Sequence, residues 1–453
     1  MKRISRRGVL AALGLGTVGT VALTGCASFP GASAATPSGQ VIDGYLDPDS
    51  LHFVEITVDQ SVYQEMITSY TSNRTKNWIE ATVTVDGVAH EKAGLKLKGN
   101  SSLQGISADS EPQKLPWLVR FDKFVDGANH DGMTRMVIRA SSSTSALNEA
   151  VALDLLAKTG LASEKAAHIS LSVNGSDPVL RLTCQDLDES WVAQNFDVAG
   201  LLYKAESTGD YTYRGTDESA YKDVFDQETG KANLTPLIEF LQFINESSDA
   251  DFQSGLAQRV DVDKMITYLA FEDVIDNFDD ITGPGNNSFL WWAEQANQMT
   301  VVAWDHNCAF GLKPGAGQQG QGGGGQPPGG GQGQPPSGGQ QPGGGQPPGD
   351  GGASSNGQAP TDQPPGGAGG QQPGGGGSQT KANALVDRFN SLMDGETKVS
   401  AERDRLKQEL YTSGVAHTIL DARAKVLTDQ AGSLIEQSAV EADKQTIAAY
   451  FTK

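Results

Sequence analysis

Residues 314–380 hold 28 of the chain's 55 glycines and 12 of its 20 prolines, and their only charges are Asp350 and Asp362. A Gly/Pro/Gln tract with so few apolar side chains buries too little surface to offset the entropy lost on ordering it. No core can run through it, so the 453-residue chain must fold from what lies on either side. Helical periodicity returns over residues 382–392 and most of 400–452, which makes the tract an expected disordered insertion, not a tail. The other reading, a linker between independent domains, leaves about 70 residues beyond it with no strands and few aromatics, a small core to stand alone.

The first residues read as an address. Lys2, Arg3, Arg6 and Arg7 precede a short Ala/Gly/Leu/Val run that ends in small residues, the pattern of an export signal and not of a spanning helix. Ser5-Arg6-Arg7 resembles a twin-arginine signal, and a general secretory signal fits as well. Leu23-Thr24-Gly25-Cys26 resembles a bacterial lipobox with Cys26 lipidated, which implies an exported lipoprotein on the outer face of the cytoplasmic membrane. An Ala/Ser/Pro/Gly tether follows. Net charge is −21, with 34 Lys+Arg against 55 Asp+Glu, which argues against nucleic-acid binding, since that needs a basic face. The GxGxxG spelling at Gly14 lies inside the signal and that at Gly315 inside the tract, so neither reads as a nucleotide loop.

Period-two alternation predicts strands over 54–58, 81–85, 95–98, 117–121, 136–139, 168–173, 179–183 and 201–203, and a helix over 145–160 opened by Ser145 and closed by Gly160. From Thr235 the pattern is mostly helical, with 263–277 the clearest buried helix, and short strands at 288–292 and 300–304 flank a turn. A strand-rich half with one helix, followed by a helical half, predicts a two-lobed α+β domain. Cys184 and Cys308 have equal claims to a disulfide and to two buried thiols.

Chemistry concentrates in two places. Asp273, Asp276, Asp279 and Asp280 close the buried helix, and Gly283-Pro284-Gly285-Asn286-Asn287 leads into the strands that end in Trp304-Asp305-His306-Asn307. Carboxylates and amides from two segments offer the oxygen ligands that Mg²⁺ or Mn²⁺ prefers, with one Asp left to act as base. On composition alone, acidic helix ends are more often simply solvated. No GxSxG or HExxH motif is present, and a calcium loop lacks its twelfth-position acid.

Residues 94–102 (Gly94-Leu95-Lys96-Leu97-Lys98-Gly99-Asn100-Ser101-Ser102), 116–121, 147–150, 202–206, 276–280, 286–287 and 302–311 run in the order of a known family. Together they resemble the spore-coat protein H (CotH) kinase-like proteins over most of residues 54–312, and the helices after residue 382 look like the family's ending. The resemblance implies an atypical protein-kinase fold with a strand-rich N-lobe and a helical C-lobe, using ATP and a divalent metal to phosphorylate proteins. By position it makes Asp279 catalytic, with Asp280 a close rival, and Asn287 and Asp305 the metal ligands. Asp305 stands where ordinary kinases have the Asp of DFG, although Phe310-Gly311 comes five residues later. One of Lys98, Arg120 and Arg139 should contact phosphates and pair with Glu149, and spacing does not choose among them. No kinase Gly-rich loop is spelled, so the turn over residues 99–110 would cover the nucleotide through backbone amides. The tract begins where kinases place the activation segment, and an inert solvated loop is the favoured reading.

The expected organisation is a signal with lipobox (1–26), a tether (27–45), a kinase-like domain (46–313), the insertion (314–380) and helices completing the C-lobe (381–453). The expected function is an exported, membrane-anchored atypical protein kinase acting on a protein substrate with ATP and Mg²⁺ or Mn²⁺. Its rivals are a non-catalytic surface scaffold and a nucleotidyl transferase on the same fold.

Overall fold

Strands that alternate apolar and polar side chains hide one face, and seven of them here hide it by closing into a ring. The computed structural model describes residues 44–313 and 383–452. The signal with Cys26, nearly all of the tether, and the insertion lie outside the described residues. Strands β1 (His52–Thr57), β2 (Ile79–Val85), β3 (Val88–Leu97), β4 (Trp117–Arg120), β5 (Arg135–Ile138), β6 (Ala166–Val173) and β7 (Val179–Cys184) form a closed barrel in the order β1-β2-β3-β4-β5-β7-β6. Neighbours are antiparallel except β1 and β6, whose parallel register of Val54 on Leu171 shuts the ring. Inside lie Val54, Ile56, Val83, Leu95, Leu97, Trp117, Val119, Met136, Ile138 and Leu171. Each contributes on the order of 1.5–3 kcal/mol by leaving water. Asp86-Gly87 joins β2 to β3 with φ of 47° and 83°, the left-handed pair that a two-residue hairpin turn demands.

Three helices accompany the strand-rich half where the sequence predicts one. In α1 (Gln60–Asn73), capped by the Asp59 carboxylate, Tyr63, Met66, Ile67 and Tyr70 face the barrel. Its Ser, Thr and Gln content masks that helical spacing. Helix α3 (Glu189–Asn195), capped by Asp188, is short. Helix α2 (Leu147–Lys158) is the predicted one, but Ser145 does not occupy its N-cap. Ala146 does, at φ 55° and with no side-chain capping bond, while the Ser145 hydroxyl donates to Asp443 and accepts from the Leu147 N–H at 3.3 Å.

The remaining elements are β8 (Gly200–Ala205), β9 (Phe225–Gln227), α4 (Thr235–Glu246), α5 (Asp249–Gly255), α6 (Val262–Val274), β10 (Ser288–Ala293), β11 (Gln298–Ala303), α7 (Ala384–Met393), α8 (Gly395–Leu406), α9 (Val415–Gln430) and α10 (Gln437–Ala448). The strands form a sheet ordered β11-β10-β8-β9 that shares one core with the helices through Tyr203, Leu241, Phe252, Tyr268, Leu290, Leu385 and Leu427. Leu147, Val151 and Leu155 of α2 enter this second core, while Ala150 and Leu153 pack with Leu182 and Cys184 of β7. The fold is mixed α+β, β-rich at the N-terminal side and helical towards the C-terminus. Among the described residues no helix is long and apolar enough to cross a membrane.

Candidate functional site

Two chain segments that follow regular elements build the site. Helix α6 starts at the Asp261 cap and buries Met265, Tyr268, Phe271 and Val274; past its end the chain must leave the core, and Asp276 turns at φ 50°. The hairpin of β10 and β11 brings the second segment alongside. The Phe310 N–H donates to the Ile275 carbonyl at 2.5 Å and Gly311 to Asp276 at 3.1 Å, so residues 305–311 are strapped to the end of α6. Buried Glu272 stiffens the junction, taking the Asn277 amide at 2.8 Å and His306 Nε2 at 3.2 Å. Burial alone would lower the His306 pKa, but the Glu272 carboxylate outweighs it and raises it.

Asp279 lies in the loop after α6. Its carboxylate accepts the Gly285 N–H, and a Cβ on Gly285 would collide with that carboxylate, as one on Gly283 would with the Asp279 backbone. The two glycines let the loop wrap the aspartate closely. Asp280 faces inward, accepting from the Thr282 N–H and hydroxyl at 2.8 Å each. Burial, reinforced by Glu272, pushes its carboxyl up to about 6.

Of the three basic candidates, Arg139 is the partner of Glu149. Its Nη2 lies 2.8 Å from Glu149 Oε1 and also bonds Asp305 Oδ1. Burial opposes the charge, yet Asp305 and Glu149 outweigh it and hold the guanidinium well above its ordinary pKa. Arg139 itself follows β5, its carbonyl gripped by Arg181 Nε at 3.0 Å. Lys98 lies 3.0 Å from Asp186, which Arg135 also holds at 2.9 Å. Burial would raise the Asp186 pKa, but these two cations keep it at about 2. Arg120 pairs with Asp122 at 2.6 Å. Neither reaches Glu149.

Register puts Asn287 and Asp305 at the same end of the hairpin of β10 and β11. Ser288 pairs with Ala303, which sets Asn287 opposite Trp304 with Asp305 one step beyond, at φ 66°. The donors are oxygens of the kind Mg²⁺ takes. The Asn287 amide makes no side-chain hydrogen bond to any described residue, while Asp305 is shared with Arg139. No group of three or more His, Cys, Asp or Glu among the described residues could hold a metal. The chain's own donors therefore fit a metal only incompletely. Cys184 and Cys308 are buried free thiols. Cys308 is pushed up to about 12 by burial, then by Asp305, Asp279 and Glu149; the thiol lies among the site's carboxylates and is no nucleophile.

Sequence reasoning missed Asp186, Glu272 and the role of Asn148, whose amide donates to the Asn307 carbonyl at 2.6 Å. Asp186 meets partners 88 and 51 positions away, separations that no local motif carries. Glu272 and His306 are 34 apart, and only the unusual burial of an acid within an apolar helix pattern hinted at a partner.

Inner spore coat protein H of Bacillus subtilis (strain 168) is 24% identical over 173 residues, 37% of this chain. The chain spans about half of that relative's length, 47%. A family model described as CotH kinase protein matches residues 95–338, more than half of the chain, taking in β4 to β11 with Arg139, Glu149, Asp279, Asn287 and Asp305. The chain belongs to the CotH kinase protein family.

Proposed function

We propose that this protein is an exported protein kinase, anchored through lipidated Cys26, that transfers the γ-phosphate of ATP to a protein hydroxyl. The observation that supports it best is the Arg139 guanidinium bridging Glu149 and Asp305 beside the loop that presents Asp279. A carboxylate held in that loop by the Gly285 N–H suits a hydroxyl group's need to lose a proton as it attacks. Asp279 orients and deprotonates the hydroxyl, its carboxylate aimed by the Gly285 N–H. Asp280 is the poorer base, being turned onto Thr282. Asn287 and Asp305 would hold Mg²⁺ or Mn²⁺, with phosphate oxygens supplying the ligands that the chain lacks. The metal supplies charge neutralisation at the phosphates. Arg139 keeps Asp305 aimed, and Glu149 keeps Arg139 in place.

The test is incubation of the purified chain with ATP labelled at the γ or the α position, Mg²⁺ or Mn²⁺, and an acceptor protein, beside Asp279→Asn and Asp305→Asn. Label from the γ position that is lost in both variants is expected. Transfer of only the α label would mean a nucleotidyl transferase, and no metal-dependent nucleotide binding would leave a binding scaffold.

A further inference from the structure

The family model's match ends at residue 338, yet the helix that carries Glu149 is anchored by residues far beyond it. Arg423 of α9 is 2% exposed. Its Nε and Nη2 grip the two carboxylate oxygens of Asp154 on α2 at 2.6 and 2.7 Å, and Nη1 donates to the Ala166 carbonyl, where β6 begins, at 2.8 Å. One guanidinium thus sets α2 against the barrel. From α10, Asp443 Oδ2 takes the Ser145 N–H at 3.1 Å and its hydroxyl at 2.5 Å, just ahead of α2. Helix α9 is itself tied to the barrel at its far end, where the Gln430 side chain accepts from Leu51 N–H at 2.9 Å and donates to the Asp49 carbonyl at 3.1 Å.

We propose that Arg423 is a positioning residue for phosphate transfer, fixing the rotation of α2 so that Glu149 meets Arg139 and, through it, Asp305. This rests on reading the site as a phosphotransfer centre. Asp154 follows Glu149 by five positions, about 140° round the helix, so the pair with Arg423 lies on the side away from the site. The Asp154 side chain is 31% exposed, and a partly solvated ion pair adds little stability of its own. What the two-pronged fork adds is one permitted orientation. Turning α2 by about 20° would carry a side-chain tip at its ~5–6 Å radius roughly 2 Å, enough to break the 2.8 Å contact between Glu149 and Arg139.

The test uses the full chain with Arg423→Lys, which keeps the charge but not the fork, and Asp443→Ala, which removes the second anchor at a partly exposed position. Hydrogen exchange over residues 147–158, the melting temperature, and kcat and KM for γ-phosphate transfer are read together. For Arg423→Lys the expectation is a melting temperature within a few degrees of the parent, exchange of α2 amides at least tenfold faster with β1 to β4 unchanged, and kcat at least tenfold lower with KM for ATP changed less than threefold. Asp443→Ala should move the same readouts in the same direction by less, and decides the matter if Arg423→Lys fails to fold. Parent-like exchange in α2, or activity lost only in step with faster exchange throughout the chain, overturns the proposal. If the parent transfers no phosphate, the functional reading fails by itself, and local loosening of α2 still decides whether Arg423 sets that helix.

Discussion

Replacing Arg139 by Met tests the centre of the site through stability alone, with no substrate needed. The guanidinium is 12% exposed, Glu149 5% and Asp305 19% at their side chains. At 2.8 Å and an effective dielectric of about 20, the contact with Glu149 is worth about 6 kcal/mol before desolvation is subtracted. Removing one partner of such a buried set leaves uncompensated charge and costs about 3–5 kcal/mol. Unfolding entropy near 2.1 cal/mol/K per residue over roughly 340 described residues turns that into a fall of about 4–7 °C in melting temperature. Arg139→Met/Glu149→Leu removes the more buried carboxylate as well, and Asp305, the more exposed one, is left to take up water. This double variant should recover at least half of the loss by differential scanning calorimetry at pH 7.5, while remaining inactive. A single variant within 1 °C of the parent, or a double variant no more stable than the single, would refute the account of Arg139 as the charge that holds two acids in place.

Three further outcomes follow from the geometry. Because the folded Asp280 pKa is raised to about 6, its contribution is fully present below the unfolded value near 3.9 and is lost as pH rises through 6. Asp280→Asn keeps the acceptor for Thr282 and should stabilise the chain by about 3 kcal/mol at pH 7.5 but not at pH 4 in urea unfolding; equal effects at both pH values would count against it. The same variant should retain γ-phosphate transfer within tenfold while Asp279→Asn loses it, and the reverse ranking in a radiolabel assay would make Asp280 the base. Gly285→Ala should cut transfer at least tenfold by driving a methyl into the Asp279 carboxylate, with a melting temperature lowered by only a few degrees; unchanged turnover would show that the loop is not held as described.

Strand positions were legible because a half-buried sheet writes its period directly into the sequence, as in residues 81–85 and 117–121. Barrel closure was not, since nothing in β1 or β6 alone announces their parallel pairing across Val54 and Leu171. Helix α1 was missed because Ser61, Thr68, Ser69, Thr71 and Ser72, residues that suit turns as well as helices, interrupt its apolar spacing. Within the site, the family resemblance supplied Asp279, Asn287 and Asp305, but the choice of Arg139 over Lys98 and Arg120 needed three dimensions. All three cations follow or end strands of the same barrel, and only the side on which each emerges decides whether it meets Glu149, Asp186 or Asp122. Asp280 reads as acidic and available in one dimension, yet its carboxyl is folded back onto Thr282.

The anchors of α2 also set an order of events. Arg423 meets Asp154 across 269 residues and Asp443 meets Ser145 across 298, so both clasps close only after nearly the whole polypeptide has been made. A nascent or C-terminally clipped chain would hold Arg139, Glu149, Asp279 and Asp305 in its sequence without the arrangement that aligns them. Ending the chain before residue 423 should therefore silence the site while leaving every residue of it intact.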